Sequence, residues 1–380
     1  MNRITDFRPT RAEINLDQLA ANIAIMRGMM SPGSRFLAVV KANAYGHGLE
    51  AVADCAVSHG ADMLGVAIAE EGIRLRLHGV TCPILILGAC QEEAMDDIVK
   101  YHLTPAVFST GTLRGLEAAC VRQGGTCAFH FKIDTGMNRI GFHAKEDFAD
   151  ALALLKSCPH LRFDGMFTHF AESESADPSF TIGQASLFEE YAAMAKAAGH
   201  SPILHAANSG ALLNYPQYHF DMVRGGIIMY GYHPDADGQL PDGIRPVLTW
   251  KTGIVNIKTI PAGETVSYGR TFRAEKPVTV ATLPVGYGDG YKRAMSNHAE
   301  VLLHGQRCRQ IGTICMDQVM VDISDVRDAK IGDEVVLLGE QGNERITADD
   351  LARWSSTISY EILLSISDRV PRLFPASARQ

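Results

Sequence analysis

The sequence predicts an α/β protein with an N-terminal (β/α)8 barrel of the TIM type, followed by a mainly β C-terminal domain. Short apolar runs recur eight times between residues 36 and 224, with amphipathic segments between them. Strands that alternate with helices in this way are typical of a parallel barrel. Residues 235–243 are rich in Gly, Asp and Pro, as a linker would be. Beyond them, turn residues separate the apolar runs and helical periodicity is scarce, which predicts a β domain.

The barrel elements follow in chain order. Residues 12–16 alternate like a strand, and Asp17 is the predicted cap of the next helix. The predicted barrel strands are Phe36–Val40, Met63–Ala67, Ile84–Leu87, Pro105–Phe108, Ala128–Ile133, Phe163–Thr168, Ile203–Ala206 and Met222–Arg224. The predicted helices between them include Glu92–Tyr101, Leu113–Arg122, Phe148–Ser157 and Gln184–Ala198. A doubly wound open sheet is the alternative, but no G-x-G-x-x-G fingerprint follows an early strand.

The second domain is predicted to begin after the linker. Its predicted strands are Val247–Ile260, Val278–Val285, Ala299–Leu303, Val319–Ile323 and Glu334–Leu338, with a helix at Ala348–Ser355. The predicted domains are therefore residues 1–240 for the barrel and 241–380 for the β domain. Residues 1–15 are the exception, because a strand there can pair with the β domain.

Composition argues against several classes of protein. The formal net charge of −8 disfavours a nucleic-acid-binding surface, which needs clustered positive charge. The sequence has neither a signal-peptide core nor the ~20 consecutive apolar residues of a membrane helix, so we expect a cytoplasmic protein. The cysteines form neither a CxxC pair nor a zinc spacing, so we expect reduced thiols and no metal site. They are Cys55, Cys82, Cys90, Cys120, Cys127, Cys158, Cys308 and Cys315.

Lys41 is the first candidate for chemistry. It follows a buried apolar strand and precedes a turn of mostly small residues, Ala42–Gly48. In an α/β barrel the site lies at this end of the strands. A buried lysine loses its proton more easily, and the neutral amine can form a Schiff base with a carbonyl or with pyridoxal phosphate. The alternative is a solvated lysine just past the end of a strand.

The other predicted strand ends supply cations, hydroxyls and glycines, with few acids. They carry Lys132, Arg139, His169, Asn208, Ser209, Arg224 and Gly225–Ile227. Such a lining suits an anionic ligand that has a phosphate or a carboxylate. Glycine allows close approach of the backbone, and N–H groups at a helix start point at an anion. Taken alone, however, Gly225-Gly226 is more typical of a tight turn.

The stretch Val39–Gly48, with the sequence VVKANAYGHG, closely resembles the cofactor-lysine motif of the alanine racemases. These are pyridoxal-phosphate enzymes built on a barrel, and further segments resemble them in the same order from Glu13 to about Arg372. The resemblance implies pyridoxal 5'-phosphate as the cofactor, with its Schiff base at Lys41. It implies further cofactor contacts from Tyr45, His169, Asn208, Ser209, Arg224, Gly226, Ile227 and Tyr360.

The resemblance also assigns roles to these contacts. Hydroxyl and backbone N–H groups would hold the phosphate, namely those of Tyr45, Ser209, Gly226, Ile227 and Tyr360. Arg224 would face the pyridine nitrogen, with His169 near the ring to orient it. Because an arginine keeps its proton, that nitrogen stays unprotonated and the cofactor is a weaker electron sink. This favours returning the proton to carbon over transamination.

Two further cations belong to the substrate side by the same resemblance. Arg139 would bridge the ring oxygen of the cofactor and the carboxylate of the substrate. Lys132 matches a family position that is often carbamylated, which turns a cation into an anion that can hold Arg139. A plain Lys132 would repel Arg139, so some neutralisation is expected.

Racemisation is simplest with one base on each face of the α-carbon. Lys41 can serve one face. Tyr268, within Val266–Arg270, resembles the family's catalytic tyrosine, which acts in the partner subunit of a homodimer with shared active sites. A free tyrosine has a pKa of about 10, so the phenolate would need nearby cations, for which His169 and Arg224 are the candidates. Taken alone, Ser-Tyr-Gly is a common turn.

Two more segments of the second domain match the family. In Gly312–Gln318, the backbone N–H of Met316 would bind the substrate carboxylate across the dimer. In Val285–Gly290, Tyr287 would narrow the entry channel together with Tyr360. A narrow channel would admit a small amino acid and exclude long ones.

The resemblance implies interconversion of L- and D-alanine, with D-alanine supplied for peptidoglycan. The family's usual residues differ at Gly225, Gly288, Thr313 and Ser359. A racemase of wider range, acting on serine or lysine, is therefore the first alternative. A related pyridoxal-dependent decarboxylase and a non-catalytic cofactor-binding protein are the others.

Overall fold

The computed structural model describes residues 8–375, which form two compact units. The barrel unit comprises residues 19–44 and 48–245. The β unit comprises residues 8–18, 45–47 and 246–375. The parts of the predicted domains that fall on residues 1–7 and 376–380 lie outside the described residues.

The barrel unit contains eight parallel strands, each within two residues of a predicted one. They are β2 (Arg35–Val39), β3 (Met63–Val66), β4 (Ile84–Ile86), β5 (Thr104–Val107), β6 (Cys127–Lys132), β7 (Leu161–Phe167), β8 (Ile203–His205) and β9 (Met222–Gly225). Consecutive strands pair in order from β2 to β8, and β9 pairs with β2. Pairing of the last strand with the first confirms the predicted barrel and excludes the doubly wound open sheet.

The barrel is nearly closed between β8 and β9. These two strands share no continuous ladder, but two backbone hydrogen bonds flank the gap. Asp221 N donates to Leu204 O and Arg224 N donates to Ala207 O, both at 3.0 Å. The carboxyl ends of the strands therefore form one rim, which is where Lys41 follows β2.

The helices of the barrel unit alternate with the strands as the apolar spacing predicted. They are Leu16–Met29, Leu49–Ser58, Ala69–His78, Met95–Lys100, Thr110–Gln123, Lys145–Leu155, Ser179–Ala197 and Ser209–Asn214. The first of these begins within the β unit. Its predicted cap is wrong, because the Asn15 side chain accepts a hydrogen bond from Gln18 N at 2.9 Å, while Asp17 lies in the first turn. Asp17 there still complements the helix dipole.

The β unit contains twelve strands in the part of the chain that the structure describes. They are β1 (Arg11–Ile14), β10 (Leu248–Gly253), β11 (Asn256–Ile260), β12 (Thr265–Val266), β13 (Phe272–Arg273), β14 (Val278–Leu283), β15 (Glu300–Leu303), β16 (Gln306–Arg309), β17 (Val319–Asp322), β18 (Glu334–Gln341), β19 (Glu344–Ile346) and β20 (Arg372–Leu373). One sheet has the order β16-β15-β18-β10-β1-β20, with β19 on β18, and a second has the order β11-β14-β17. Strands β12 and β13 form a separate pair, and two helices, Ala348–Ser355 and Ser359–Ser365, complete the unit.

The predicted single strand over Val247–Ile260 is wrong. The chain changes sheets in the middle of this apolar run, because Ile254 N donates to Asp333 O while the next residue, Val255, donates to Thr282 O. The run therefore divides into β10 and β11, which lie in different sheets. Periodicity alone does not reveal such a change of partner, since both halves remain extended.

No helix among residues 8–375 is long and apolar enough to cross a membrane. All eight cysteines are free thiols.

Candidate active site

Lys41 begins a turn of unusual backbone conformation. Ala42, Asn43 and Ala44 all have φ near 54°, and Tyr45 has φ 52°. This makes a left-handed helical turn of four non-glycine residues. Each such residue costs roughly 1–2 kcal/mol relative to the right-handed form. The predicted turn is therefore present, in a conformation that the rest of the fold must hold in place.

Side-chain hydrogen bonds hold this turn. The Glu71 carboxylate accepts from Ala42 N through Oε1 and from Ala67 N, at 2.8 Å, through Oε2. The Asn43 side chain accepts from Leu49 N at 2.9 Å, which ties the turn to the start of the next helix. These contacts position Lys41 at the rim of the barrel.

The amine of Lys41 is adapted for nucleophilic chemistry. Burial is the main cause that lowers the pKa of Lys41, and the charges of Arg139 and Arg224 lower it further. Glu71 acts in the opposite direction. A lowered pKa increases the fraction of neutral amine, which is the form that attacks a carbonyl.

Arg224 is 3% exposed and lies at the end of β9. Its guanidinium donates to the carbonyl oxygens of His205, Thr168 and Ala206 at 3.0, 2.9 and 2.8 Å. Burial lowers the pKa of Arg224 to about 9, so the side chain remains a cation at neutral pH. No hydrogen bond joins its Nε–H to any described residue, so this donor is available to a ligand.

Histidines extend the network from Arg224. Its Nη2 lies 3.2 Å from Nδ1 of His169, and its Nη1 lies 3.1 Å from Nδ1 of His205. A guanidinium can only donate, so Nδ1 of His205 accepts and that neutral ring carries its proton on Nε2. The two Nη2 hydrogens are shared among Thr168 O, Ala206 O and Nδ1 of His169, so this nitrogen also faces the cation without a proton. Burial is the largest cause that lowers the pKa of His169 and of His205 well below its usual value, and nearby cations add to it. Both rings are therefore neutral near pH 7, and the expectation that His169 supplies a positive charge near the tyrosine is wrong.

Ser209 and the loop after β9 place several donors together. Asn208 caps the helix Ser209–Asn214, because its side chain accepts from Ala211 N at 3.0 Å. The Ser209 hydroxyl oxygen accepts from Gly226 N at 3.2 Å and from Ile228 N at 3.5 Å. The Gly226 and Ile228 N–H groups thus point at the Ser209 oxygen, the hydroxyl keeps its own hydrogen to donate, and Ile227 lies in the same loop. This donor set is suited to a phosphate.

Lys132 is the last residue of β6 and is 3% exposed. Its ammonium nitrogen donates to Ile133 O at 2.8 Å and lies 5.4 Å from the centroid of the Phe167 ring. Burial, then the charge of Arg224, lowers the pKa of Lys132 to about 7. The exposed Arg139 is close enough to contribute to the same effect. A full positive charge is therefore disfavoured at this position.

Two of the predicted residues in the β unit contact each other. The rings of Tyr45 and Tyr360 have centroids 6.1 Å apart and a tilted arrangement. Burial raises the pKa of Tyr45 to about 12, so its phenol stays protonated at neutral pH and can donate. Tyr360 lies in the first turn of the helix Ser359–Ser365.

Tyr268 is 73% exposed and begins a short 3-10 helix, Tyr268–Arg270. Its carbonyl accepts from the Thr313 hydroxyl at 2.7 Å, and Ser267 donates to Thr313 O at 2.5 Å. The positive φ of Ser267, 66°, turns the chain sharply just before the tyrosine. This turn presents the phenol on the surface of the chain.

The segment Gly312–Gln318, which contains Thr313, connects Tyr268 to two other predicted residues of the β unit, Met316 and Tyr287. Met316 and Tyr287 are also exposed, and backbone hydrogen bonds join Tyr287 N to Cys315 O at 3.1 Å and Gly288 N to Met316 O at 2.9 Å. At Gly286 a Cβ atom would lie 2.3 Å from Cys315 O, so only glycine fits this approach. The three exposed side chains therefore belong to one connected surface of the β unit.

Three residues, His205, His130 and Glu71, contribute to the site without having a role predicted from the sequence. His205 and His130 lie inside the barrel, and their rings are joined by a hydrogen bond of 2.9 Å. One signal was present, because His130 and Lys132 are two residues apart on β6 and therefore point to the same face. Glu71 had no comparable signal, because its partners are the backbone of a turn far away in sequence.

Comparisons with known proteins place this site in a family. The model of the alanine racemase N-terminal domain matches residues 14–234, and that of the alanine racemase C-terminal domain matches residues 247–374. The chain is 42% identical to a protein of Desulfovibrio desulfuricans named alanine racemase, over 97% of this chain and 98% of that one. A protein of Symbiobacterium thermophilum with the same name is 43% identical, over 97% of each chain.

Solved structures agree with these matches. An alanine racemase from Bacillus anthracis, described with bound L-Ala-P, superimposes with a TM-score of 0.93 at 34% identity, over 98% of this chain and 96% of that one. An alanine racemase from Clostridium difficile superimposes with a TM-score of 0.92 at 37% identity, over 97% and 96% of the two chains. The likeness extends over both the barrel and the β unit.

Proposed function

Because this chain belongs to the alanine racemase family, we propose that it interconverts L- and D-alanine with pyridoxal 5'-phosphate and two bases. The chain is a racemase, an isomerase that acts on alanine. The observation that carries the mechanism is the desolvated amine of Lys41 at the carboxyl end of a barrel strand, beside two arginines. Serine or lysine as further substrates remain the alternative, since Thr313 and Gly288 differ from the family's usual residues.

The residues at the barrel rim fit the cofactor. The amine of Lys41 suits an aldehyde, and the donors around Ser209 suit a phosphate. Arg224 retains an Nε–H donor among the described residues, which suits a pyridine nitrogen that accepts a hydrogen bond. When bound, pyridoxal phosphate withdraws electrons from the α-carbon of the substrate and so makes its proton removable.

Arg224 limits that electron withdrawal. An arginine cation with four donors already committed to protein groups has no proton to give to the pyridine nitrogen. His169 and His205 fix its orientation from two sides. The expected result is a site that returns the proton to carbon in preference to transamination.

Lys41 and Tyr268 are the proposed bases. Lys41 would hold the cofactor, and its amine would move a proton on one face of the α-carbon. Tyr268 of the partner subunit moves a proton on the other face. The exposure of this phenol, 73% in the single chain, supports a role in a second molecule, where it could meet the Nε2–H of His169 and nearby cations.

The substrate carboxylate has two proposed partners, Arg139 and the backbone N–H of Met316 of the partner subunit. Tyr45 and Tyr360 are proposed to donate to the cofactor phosphate, and Asn208 to support Ser209. Tyr287 and Tyr360 are proposed to narrow the entrance. A homodimer in the cytoplasm, supplying D-alanine for peptidoglycan, completes the proposal.

The direct test is a racemisation assay with the purified protein. We expect D-alanine to appear from L-alanine, measured by chiral chromatography, together with visible absorption from the bound cofactor. Serine and lysine assayed in parallel decide between a strict and a broad racemase. Absorption without racemisation of any of these amino acids would instead indicate a cofactor-binding protein, and release of carbon dioxide would indicate a decarboxylase.

Shared active sites predict complementation between inactive chains. Random pairing of Lys41→Ala and Tyr268→Phe chains makes half of the dimers mixed, and each mixed dimer has one intact site. We therefore expect recovery of about a quarter of the wild-type activity. As a control, wild-type chains are mixed with chains that carry both substitutions. Their mixed dimers should be inactive, because one site lacks Tyr268 and the other lacks Lys41. No recovery in verified mixed dimers would mean that each chain supplies both of its own bases.

Lys132 is proposed to be carbamylated. Its neutral amine would attack the carbon of carbon dioxide, form an N–C bond and release one proton, which leaves an anion beside Arg139. Because the pKa of Lys132 is lowered to about 7, the reactive neutral form should increase as the pH rises through 7. We expect a ¹³C carbamate resonance in ¹³C-bicarbonate buffer that is lost in Lys132→Met and retained in the surface variant Lys196→Met. A resonance that survives in Lys132→Met would exclude this site.

A further inference from the structure

A cavity lies at the opposite end of the barrel from Lys41. It has a volume of about 310 Å³ and is lined by the first residues of several strands, namely Arg35, Met63, Thr104, Cys127 and Ile203. Exposed side chains and the fully buried His130 both contribute to its wall. The cavity therefore extends from the surface into the interior of the barrel, and it shares no residue with the proposed active site.

The charged residues of this cavity are mostly positive. Arg35, Arg76 and Arg162 line it, and Asp164 is the carboxylate among its lining residues. The lining thus has an excess of two positive charges. Such an excess in a recess favours an anion, because the low-dielectric wall focuses the field.

The three arginines differ in their free hydrogen-bonding capacity. Arg76 donates to four backbone carbonyl oxygens, so it supplies charge but few donors. Arg162 is paired with Asp164 through Nε and Nη2. Within residues 8–375, Arg35 has no side-chain hydrogen bond or ion pair. Its guanidinium is therefore the one best placed to bind a ligand.

His130 supplies a buried donor without a partner. The direction of the hydrogen bonds is set at Arg224, which can only donate, so His205 accepts at Nδ1 and donates from Nε2 to Nδ1 of His130. Neutral His130 must then carry its proton on Nε2. That atom is fully buried and has no hydrogen-bond partner in the described part of the chain. A buried, unpaired donor costs about 1–3 kcal/mol, which an acceptor that reaches the ring from the cavity would relieve.

The strand opposite His130 is shaped to accommodate this ring. The pairing of β6 with β7 shifts register between Phe129 and His130, so that His130 lies opposite Gly165. A Cβ atom at Gly165 would lie 2.4–2.6 Å from three atoms of the imidazole ring. The glycine therefore admits the ring but offers no side chain to accept its proton.

We propose that this cavity binds a small oxyanion of the phosphate class, which accepts a hydrogen bond from His130 Nε2 and pairs with Arg35. The volume exceeds what one water molecule needs by roughly tenfold, so a tetrahedral anion and its water shell fit. Occupancy also completes a chain of hydrogen bonds that runs through His130 and His205 to Arg224.

Inorganic phosphate is the probe for this site. We titrate it into the holoenzyme by calorimetry at neutral pH and constant ionic strength, with the cofactor phosphate already in its own site. We expect saturable binding of one phosphate per chain. Arg35→Gln should weaken binding about fivefold, which corresponds to ~1 kcal/mol for one lost ion pair. Arg114→Gln removes the same charge from an exposed position outside the cavity wall and should leave binding unchanged.

A second measurement ties binding to the histidine. In holoenzyme with ¹⁵N-labelled histidine, phosphate should shift the Nε2 resonance of His130, which is assigned by its loss in His130→Asn. The proposal is overturned if phosphate does not saturate, if Arg35→Gln and Arg114→Gln weaken binding equally, or if phosphate binds without moving the His130 resonance. The last result would place the anion elsewhere, the substrate site included.

Discussion

Lys41→Ala is expected to reduce the racemisation of L-alanine by at least about 10⁴-fold. One substitution removes two proposed functions, the covalent attachment of the cofactor and the proton transfer on one face of the α-carbon. Burial and the neighbouring arginines lower the pKa of Lys41. No other lysine follows this strand before Lys100, so no second amine can take its place there. Chiral chromatography of the product measures the loss, and visible absorption of the same sample measures the attached cofactor.

Lys196→Ala is the matched control for this variant. Lys196 is exposed in the last turn of the helix Ser179–Ala197, so its loss removes the same charge without affecting the barrel rim. We expect wild-type activity and absorption from this control. Turnover by Lys41→Ala within tenfold of the wild type would refute the assignment of Lys41 as the cofactor lysine.

Tyr268→Phe is expected to slow racemisation by about 10²–10⁴-fold, as the loss of one general base does. The two enantiomers have equal free energies, so catalytic efficiency must fall equally in both directions. The asymmetry appears instead in proton exchange. In deuterium oxide, the enantiomer whose α-proton faces Lys41 should still incorporate deuterium, whereas exchange from the other enantiomer should be lost. Mass spectrometry of each recovered enantiomer measures this difference.

Tyr287→Phe is the matched control, since Tyr287 is also an exposed tyrosine of the same connected surface. It keeps both bases, so any effect on substrate entry should change exchange and racemisation to the same extent for both enantiomers. Equal deuterium incorporation into both enantiomers by Tyr268→Phe would contradict the two-base scheme. So would racemisation by that variant at the wild-type rate.

Much of the architecture was predictable because it depends on local pattern. All eight barrel strands agree with short apolar runs, since a strand buried on both faces has no polar alternation to obscure it. The turn after Lys41 was predictable from its small residues. The errors occurred where a distant partner decided the outcome, as at Asn15, whose side chain replaces Asp17 as the cap, and at Ile254, where the chain changes sheets.

The sequence by itself determined the barrel, the mainly β character of the second part and the lysine at the end of the first barrel strand. These follow from periodicities of two and 3.6 residues, which act over short stretches of chain. Only the tertiary structure decided that His205 joins His169 in holding Arg224, and that His130, whose Nε2 has no partner among the described residues, lies in the wall of a cavity. Hydrogen-bond direction and burial depend on residues that are far apart in the chain, and the fold brings them together.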